Sequence, residues 1–497
     1  MRKASKWNVV ISLCLVLVTL LSTEGRHTVW ADDLPYDTYN YDYREYIHYT
    51  PAAYAPAYTI TADGMTWQGE AIGKFVNPQD LCKSPDGKVY VADTGNNRII
   101  VLDTAMKQVV NLITGFDNNG VADTFKQPSG VCVSEKGNLY VADSQNRRVV
   151  VLDADGRLLQ IVADPQSESF TEDYIFTPLK VTVDYADRIY VIAQNMFEGI
   201  MVFESDGTFA SFFGTIEVEI SLWDKFWSRV ATKEERSNQQ LYIPTEFTGI
   251  DIDPEGFVYA SNIDAAGMQG VRRLNPRGED VIKKGQNQNL GGDLWINGST
   301  EYAGASQFTD VLYRDNGIYS CLDRKRGRVF TYDHEGNLLY IFGGLGTQEG
   351  TFTMPVAIEQ IGSNLAVLDA TRGSILCFAA TEYGSLINEA VALRYGADEA
   401  EAVPLWERVL ELDENNELAN TGIGKAYLTA GDYKKAMYYL ELGMNRDYYS
   451  IAYRRYRNAL LAKNIGYVLT GGVVLIFGLM IGKTVKKKRK GAVRDAS

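Results

Sequence analysis

Histidine is almost missing from this chain, with three in 497 residues: His27, His48 and His334. Imidazoles so few and so far apart exclude a His-ligated zinc and leave a Ser-His-Asp triad only His334 to build on. No Gly-x-Ser-x-Gly elbow occurs either. Cysteine is scarce, five residues, and follows no disulfide framework. Cys14 lies in an N-terminal apolar run, while Cys82, Cys132, Cys321 and Cys377 sit in apolar strand-like settings and read as buried free thiols. Positive charge is short as well: 49 Lys and Arg face 63 Asp and Glu, and without the first 31 and last 33 residues the count is 38 against 61. A body that acidic repels phosphate backbones, which excludes nucleic acid as a partner.

Long apolar runs are absent except at the two ends. Arg2, Lys3 and Lys6 precede an apolar stretch from Val9 to Leu21, and Ala31 closes an A-x-A-like site. This reads as a signal peptide over 1–31, too short as a helix to cross the roughly 30 Å hydrocarbon core. At the other end Ile465 to Gly482 carries no charge and is followed by Lys483 and Lys486-Lys487-Lys488-Arg489-Lys490. A transmembrane helix over 464–482 with a basic cytoplasmic tail, 483–497, is expected, which places the body outside the cytoplasm.

Between the ends the chain repeats itself every 50 residues: Pro78, Pro128, Pro178 and Tyr90, Tyr140, Tyr190 coincide. Each unit holds four short strand patterns separated by Gly-bearing turns, as in Gly130 to Val162, which describes one propeller blade. Less regular units follow at Phe247 to Leu274, Phe308 to Tyr332 and Phe352 to Phe378, making six. The sixth runs out near Ala380, so an N-terminal strand between Tyr58 and Phe75 is expected to complete it and close the ring. Asp153-Ala-Asp-Gly156 looks like the start of a calcium loop but reads as a hairpin turn.

Tyr90-Val-Ala-Asp-Thr-Gly-Asn-Asn-Arg98 and Tyr140-Val-Ala-Asp-Ser-Gln-Asn-Arg-Arg148 resemble the NHL repeat, a six-bladed propeller family. The resemblance implies that Asp93, Arg98, Asp143, Arg148, Asp323 and Asp369 mostly brace the loops. With its Tyr-rich leader, ring and Trp-bearing insertion, the chain is also similar to NHL proteins found beside carbohydrate importers in Gram-positive bacteria. From Leu386 the period becomes helical. Ile423, Gly424, Tyr427, Gly431, Ala436, Leu440 and Gly443 fit tetratricopeptide spacing, so 384–463 forms either a peptide-binding pair of repeats or a stalk.

The fold class expected is therefore mainly β: a Tyr-rich linker over 32–57, a six-bladed NHL-type β-propeller over 58–380, a small helical segment and one membrane helix. Long insertions, Gly214 to Glu246 and Gly285 to Gln307, fall on the face where the innermost strands begin, whereas His334 falls in a turn on the opposite face. The first insertion holds Trp223 and Trp227 at helical spacing, candidates for ligand stacking or for packing on blade edges. Asp80, Lys180 and Asp310 head innermost strands and are the candidate polar ligand site at the channel mouth. A binding or scaffold protein follows, with a protein or carbohydrate partner on the propeller face, a possible membrane-protein partner for the helices, and no cofactor. The alternative is a lactonase-like hydrolase with carboxylate-bound calcium at the mouth, for which Asp80 and Asp310 lack a clear third ligand.

Overall fold

The structure, a computed structural model, describes residues 34–165, 170, 174–215, 246–264, 269–285, 290–294 and 304–494. It divides into two compact units, Met1–Ala397 and Asp398–Ser497.

The first unit is a six-bladed β-propeller. Blade two shows how the repeat makes a blade: strands Pro128–Val133, Leu139–Asp143, Arg148–Leu152 and Leu158–Val162 pair antiparallel in chain order. Turns close on glycines in the left-handed region, Gly137 (φ 83°) and Gly156 (φ 81°), which residues with a Cβ rarely adopt. In the second of these turns Asp153 Oδ1 accepts from Asp155 N and Arg157 N, so Asp153–Gly156 is a hairpin turn. The second strand, Leu-Tyr-Val-Ala-Asp, is buried at every position because neighbouring blades cover both its faces. Strict polar-apolar alternation is therefore missing, and of the blade's later three strands the outermost, Leu158–Val162, is the most exposed.

Blades one, three and five repeat this four-stranded pattern, while blade four differs. It has three strands, Phe247–Ile252, Val258–Asn262 and Val271–Leu274, plus a single bridge Leu274↔Asp280. The chain then leaves toward blade five, where Gly285 N donates to Gly336 O. Blade six takes its fourth strand from the N-terminal side, as closure of the ring requires. That strand is Tyr54–Thr61, four residues earlier than expected, because its partner Ser374–Ala380 is long enough to pair out to Ala380↔Tyr54.

The Tyr-rich stretch is consequently not a plain linker. Tyr39–Tyr41 and Ile47–Tyr49 form a hairpin, and Tyr54 already belongs to blade six. The hairpin lies against blade five through Arg328, whose guanidinium stands 4.5 Å from the Tyr39 ring centre, and against the segment preceding that blade through Tyr39 Oη, which donates to Asp293 Oδ1 at 2.6 Å.

Helix α1 (Glu382–Tyr395) leaves blade six with Thr381 as N-cap, its hydroxyl accepting from Gly384 N. Asn388 of α1, Tyr54 and Tyr340 surround the buried Arg314: its guanidinium donates to Tyr340 Oη (2.8 Å) and Tyr54 Oη (2.7 Å). At its far end Arg394 pairs with Asp333 and Glu335 in a blade-five turn. The closing strand, α1 and blade five are thus locked by hydrogen bonds from both termini of the ring.

The second unit contains α2 (Glu399–Leu412), α3 (Glu417–Ala430), α4 (Tyr433–Leu442) and α5 (Arg446–Arg494). Small residues let the helices approach: a Cβ on Gly422 would lie 2.5 Å from Trp406 Nε1, and one on Gly424 2.6 Å from Leu440 Cγ. Helix α5 is long and apolar enough to cross a membrane, and every side chain from Ile465 to Gly482 is exposed.

Candidate functional site

The innermost strands of the six blades begin on one face and line the central channel. Their first inward position reads Asp80, Gly130, Lys180, Gly249, Asp310, Ala357 from blade one to blade six. Charged residues thus occupy alternate blades and small ones fill the gaps. A Cβ on Gly249 would lie 2.5 Å from Asp310 Cα, and one on Gly130 2.7 Å from Leu179 O, so both glycines are required by the closeness of the next blade.

The small residues leave room for Lys180 to reach across the channel. Its ammonium lies 2.5 Å from Asp80 Oδ1 and 3.7 Å from Asp310 Oδ1, with all three side chains nearly buried. The sequence-predicted trio is therefore brought together, as an ion triad. Each carboxylate also accepts from the backbone of the following blade: Asp80 Oδ2 from Val131 N and Asp310 Oδ2 from Ile358 N, both at 2.9 Å. Burial alone would lower the Lys180 pKa, but Asp310 and Asp80 outweigh it and raise it. Burial lifts Asp80 above the carboxylate range, and Asp310 to about 7, against the pull of Lys180.

Two residues further along each strand a second tier faces the channel: Cys82, Cys132, Thr182, Asp251, Leu312 and Glu359. Sequence reasoning missed Asp251 and Glu359, although the i+2 rule places them beneath the first tier. They repeat the same device, Asp251 Oδ2 accepting from Tyr313 N at 2.7 Å and Glu359 Oε2 from Lys83 N at 3.0 Å. Burial, then repulsion from Glu359, raises Asp251 to about 8. Cys82 and Cys132 are not sealed in the core as the sequence suggested. They are partly exposed and line a cavity, because an innermost strand has no blade on its channel side. That cavity, about 310 Å³, extends past Glu135, Tyr185, Pro254 and Asp315 in the short turns, on the face opposite the long insertions.

The loop residues do bracing work. Asp93 Oδ1 accepts from Val76 N and its Oδ2 from Asn96 and Arg98; Asp143 repeats this with Lys126 N, Asn146 and Arg148. Asp323 takes Gln307 N, and Asp369 takes Thr353 N and Arg372 N. Each carboxylate fixes the loop entering its own blade to the loop between the second and third strands. Trp223 and Trp227 lie outside the described residues. The hairpin offers a second surface: with Tyr39 and Tyr41 turned inward, Tyr43, Tyr46, Ile47 and Tyr49 point outward and are exposed.

Calcium takes six to eight oxygens. Here an ammonium occupies the position between Asp80 and Asp310, and no group of three His, Cys, Asp or Glu could hold a metal ion among the described residues. The first-tier residues do not fit that ion.

Residues 29–172 match the family described as SMP-30/Gluconolactonase/LRE-like region. Among solved structures, the chain is similar to virginiamycin B lyase from Staphylococcus aureus, 10% identical over 65% of this chain and 98% of that one, with a TM-score of 0.40. A streptogramin B lyase is 12% identical over 65% and 98% of the two chains, TM-score 0.38. A protein of unknown function from Bacteroides thetaiotaomicron is 15% identical over 65% and 75%, TM-score 0.42. No curated protein matches.

Proposed function

We propose that the chain is a membrane-anchored binding or scaffold protein, with propeller and helical segment extracytoplasmic and the basic tail in the cytoplasm. One observation carries the reading: the first-tier carboxylates at the channel mouth are each committed to a neighbouring blade's N–H and to Lys180. Charges spent in this way tie five of the six blades to one another and leave no free carboxylate in that tier to bind a Lewis acid or take a proton from water. The exposed apolar span of α5 and the polybasic cluster after it support the anchor and its orientation.

Contact with a partner then falls to the outer surface. The exposed rings of Tyr43, Tyr46 and Tyr49 suit a saccharide or protein face, and the resemblance to NHL proteins beside carbohydrate importers makes oligosaccharides the first ligands to try. The test is calorimetric titration of the detergent-solubilised full chain with calcium, lactones and oligosaccharides. Saccharide binding that is indifferent to calcium and weakened by Tyr46→Ala or Tyr49→Ala supports the reading. Calcium binding lost in Asp80→Ala or Asp310→Ala, together with lactone turnover, would replace it with the hydrolase.

A further inference from the structure

The triad at the channel mouth holds the parts of a reaction as well as those of a salt bridge. Lys180 Nζ lies 2.5 Å from Asp80 Oδ1, and the two side chains are 12% and 8% exposed, so an amine and a carboxyl group touch with little access for water. Asp80 Oδ2 accepts from Val131 N at 2.9 Å. A second carboxylate, Asp310, stands with Oδ1 3.7 Å from the same nitrogen and is itself held by Ile358 N. Blades one, three and five therefore bring an electrophile, a nucleophile and a proton carrier to one place. Lys88 with Asp86 and Lys136 with Asp187 are ion pairs too, but their lysines are exposed and each meets a single aspartate.

We propose that Lys180 and Asp80 condense into an intramolecular amide, Nζ to Cγ, with Asp310 as the proton carrier, tying blade three to blade one. The step balances without an added reagent. One proton passes from the ammonium to Asp80 Oδ1 along their contact, giving an amine and a carboxylic acid, and burial favours this neutral pair over two charges. Asp310 and Asp80 keep the pKa of Lys180 raised, so the amine arises by transfer inside the contact and not by loss of a proton to solvent. The nitrogen attacks Cγ, and Oδ2 takes the developing negative charge with the Val131 N–H donating to it. Asp310 accepts a proton from the nitrogen and delivers it to Oδ1, whose bond to Cγ breaks and which leaves as water. The sum is R–NH₃⁺ and ⁻OOC–R′ giving R–NH–CO–R′ and H₂O, with nothing oxidised or reduced.

Between free molecules in water the same condensation runs backward. The fold reverses the balance by holding the partners together, since well-oriented groups reach effective molarities of about 10⁵–10⁸ M. The product also fits its surroundings: Oδ2 keeps the Val131 N–H, and the new amide N–H takes the ammonium's place beside Asp310. A tie between Asp80 and Lys180 closes a covalent loop around blades one and two. No disulfide among the described residues does this, because Cys82, Cys132, Cys321 and Cys377 are all free. A chain whose bond is still open holds the same groups as the ion triad. The amide is independent of the proposed partner role and stands or falls separately.

The test samples the full chain in detergent over time after cell-free synthesis, denatures it, digests it with trypsin and weighs the peptides by mass spectrometry. A branched peptide joining the Asp80 segment to the Lys180 segment is expected, lighter than the sum of its parts by one water, with no cleavage after Lys180. Lys180→Arg keeps a cation between the carboxylates but lacks the amine, and should yield separate peptides only. Asp310→Asn should slow the joining by about 10²-fold or more, the usual effect of losing a positioned proton carrier. The parent digest depends on no variant's folding, so it decides alone: separate peptides carrying unmodified Asp80 and Lys180 would overturn the proposal. So would joining at the parent's rate in an Asp310→Asn chain whose near-ultraviolet circular dichroism matches the parent's.

Discussion

Lys180→Met puts the ion triad to the test. Methionine keeps a long unbranched stem but removes the ammonium, leaving Asp80 and Asp310 to face one another with one backbone N–H each from Val131 and Ile358. Removing one partner from a buried ionic cluster costs about 3–5 kcal/mol. The carboxylates can escape that cost only by taking up protons, and Asp310 already titrates at about 7 with Lys180 in place. The deficit should therefore be largest near pH 8 and shrink as the pH falls toward 5. Chemical unfolding of the full chain, followed by near-ultraviolet circular dichroism at both pH values, measures it. Replacing all three charges, Asp80→Asn with Lys180→Met and Asp310→Asn, should recover most of the loss, because no unpaired charge remains. A Lys180→Met variant as stable as the parent at pH 8, or a deficit that does not change between pH 5 and 8, would refute the triad as the element holding the mouth together.

Asp251 extends the argument to the parent protein. Its folded-state pKa, about 8, lies above the unfolded value near 3.8, so the folded state binds the extra proton between them and stability falls as pH rises across that window. The slope approaches about 1.4 kcal/mol per pH unit while this group alone titrates, and Asp251→Asn should flatten it in unfolding measurements across the range. Gly249→Ala drives a Cβ to 2.5 Å from Asp310 Cα and should cost about 1–3 kcal/mol by the same assay. Asp143→Ala strips Lys126 N, Asn146 and Arg148 of their shared acceptor; a loss of about 2–4 kcal/mol is expected, with saccharide affinity unchanged in calorimetry. Truncation after Lys463 should move the protein from membrane to soluble fraction on cell fractionation, and persistence in the membrane would remove α5 as the anchor.

The ring was legible because one spacing carries it. Proline at 78, 128 and 178 opens the strand region, tyrosine at 90, 140 and 190 marks the second strand, and the same step superimposes Asp80, Gly130 and Lys180. Even the two channel thiols are visible in that register, with Cys82 over Cys132. What the register could not display is reach. Lys180 joins Asp80 and Asp310 across the axis only because Gly130, Gly249 and Ala357 stand back in the intervening blades, and a linear repeat shows which positions correspond, not which ones meet. The lower carboxylates were hidden for a second reason. Asp251 and Glu359 fall in blades after the point where insertions break the step of 50, so no alignment column pointed to them, although each sits two residues beyond the first-tier position of its own strand. The closing strand shows the same limit in another form. Its existence follows from a sheet edge that must be covered, but its start at Tyr54 depends on how far Ser374–Ala380 extends and on Arg314 gathering Tyr54 with Tyr340. In each case the missing information is a contact between blades. The inter-blade hydrogen bonds of Asp80, Asp251, Asp310 and Glu359 each tie one blade's channel strand to the next, so none of them can be read from a single repeat.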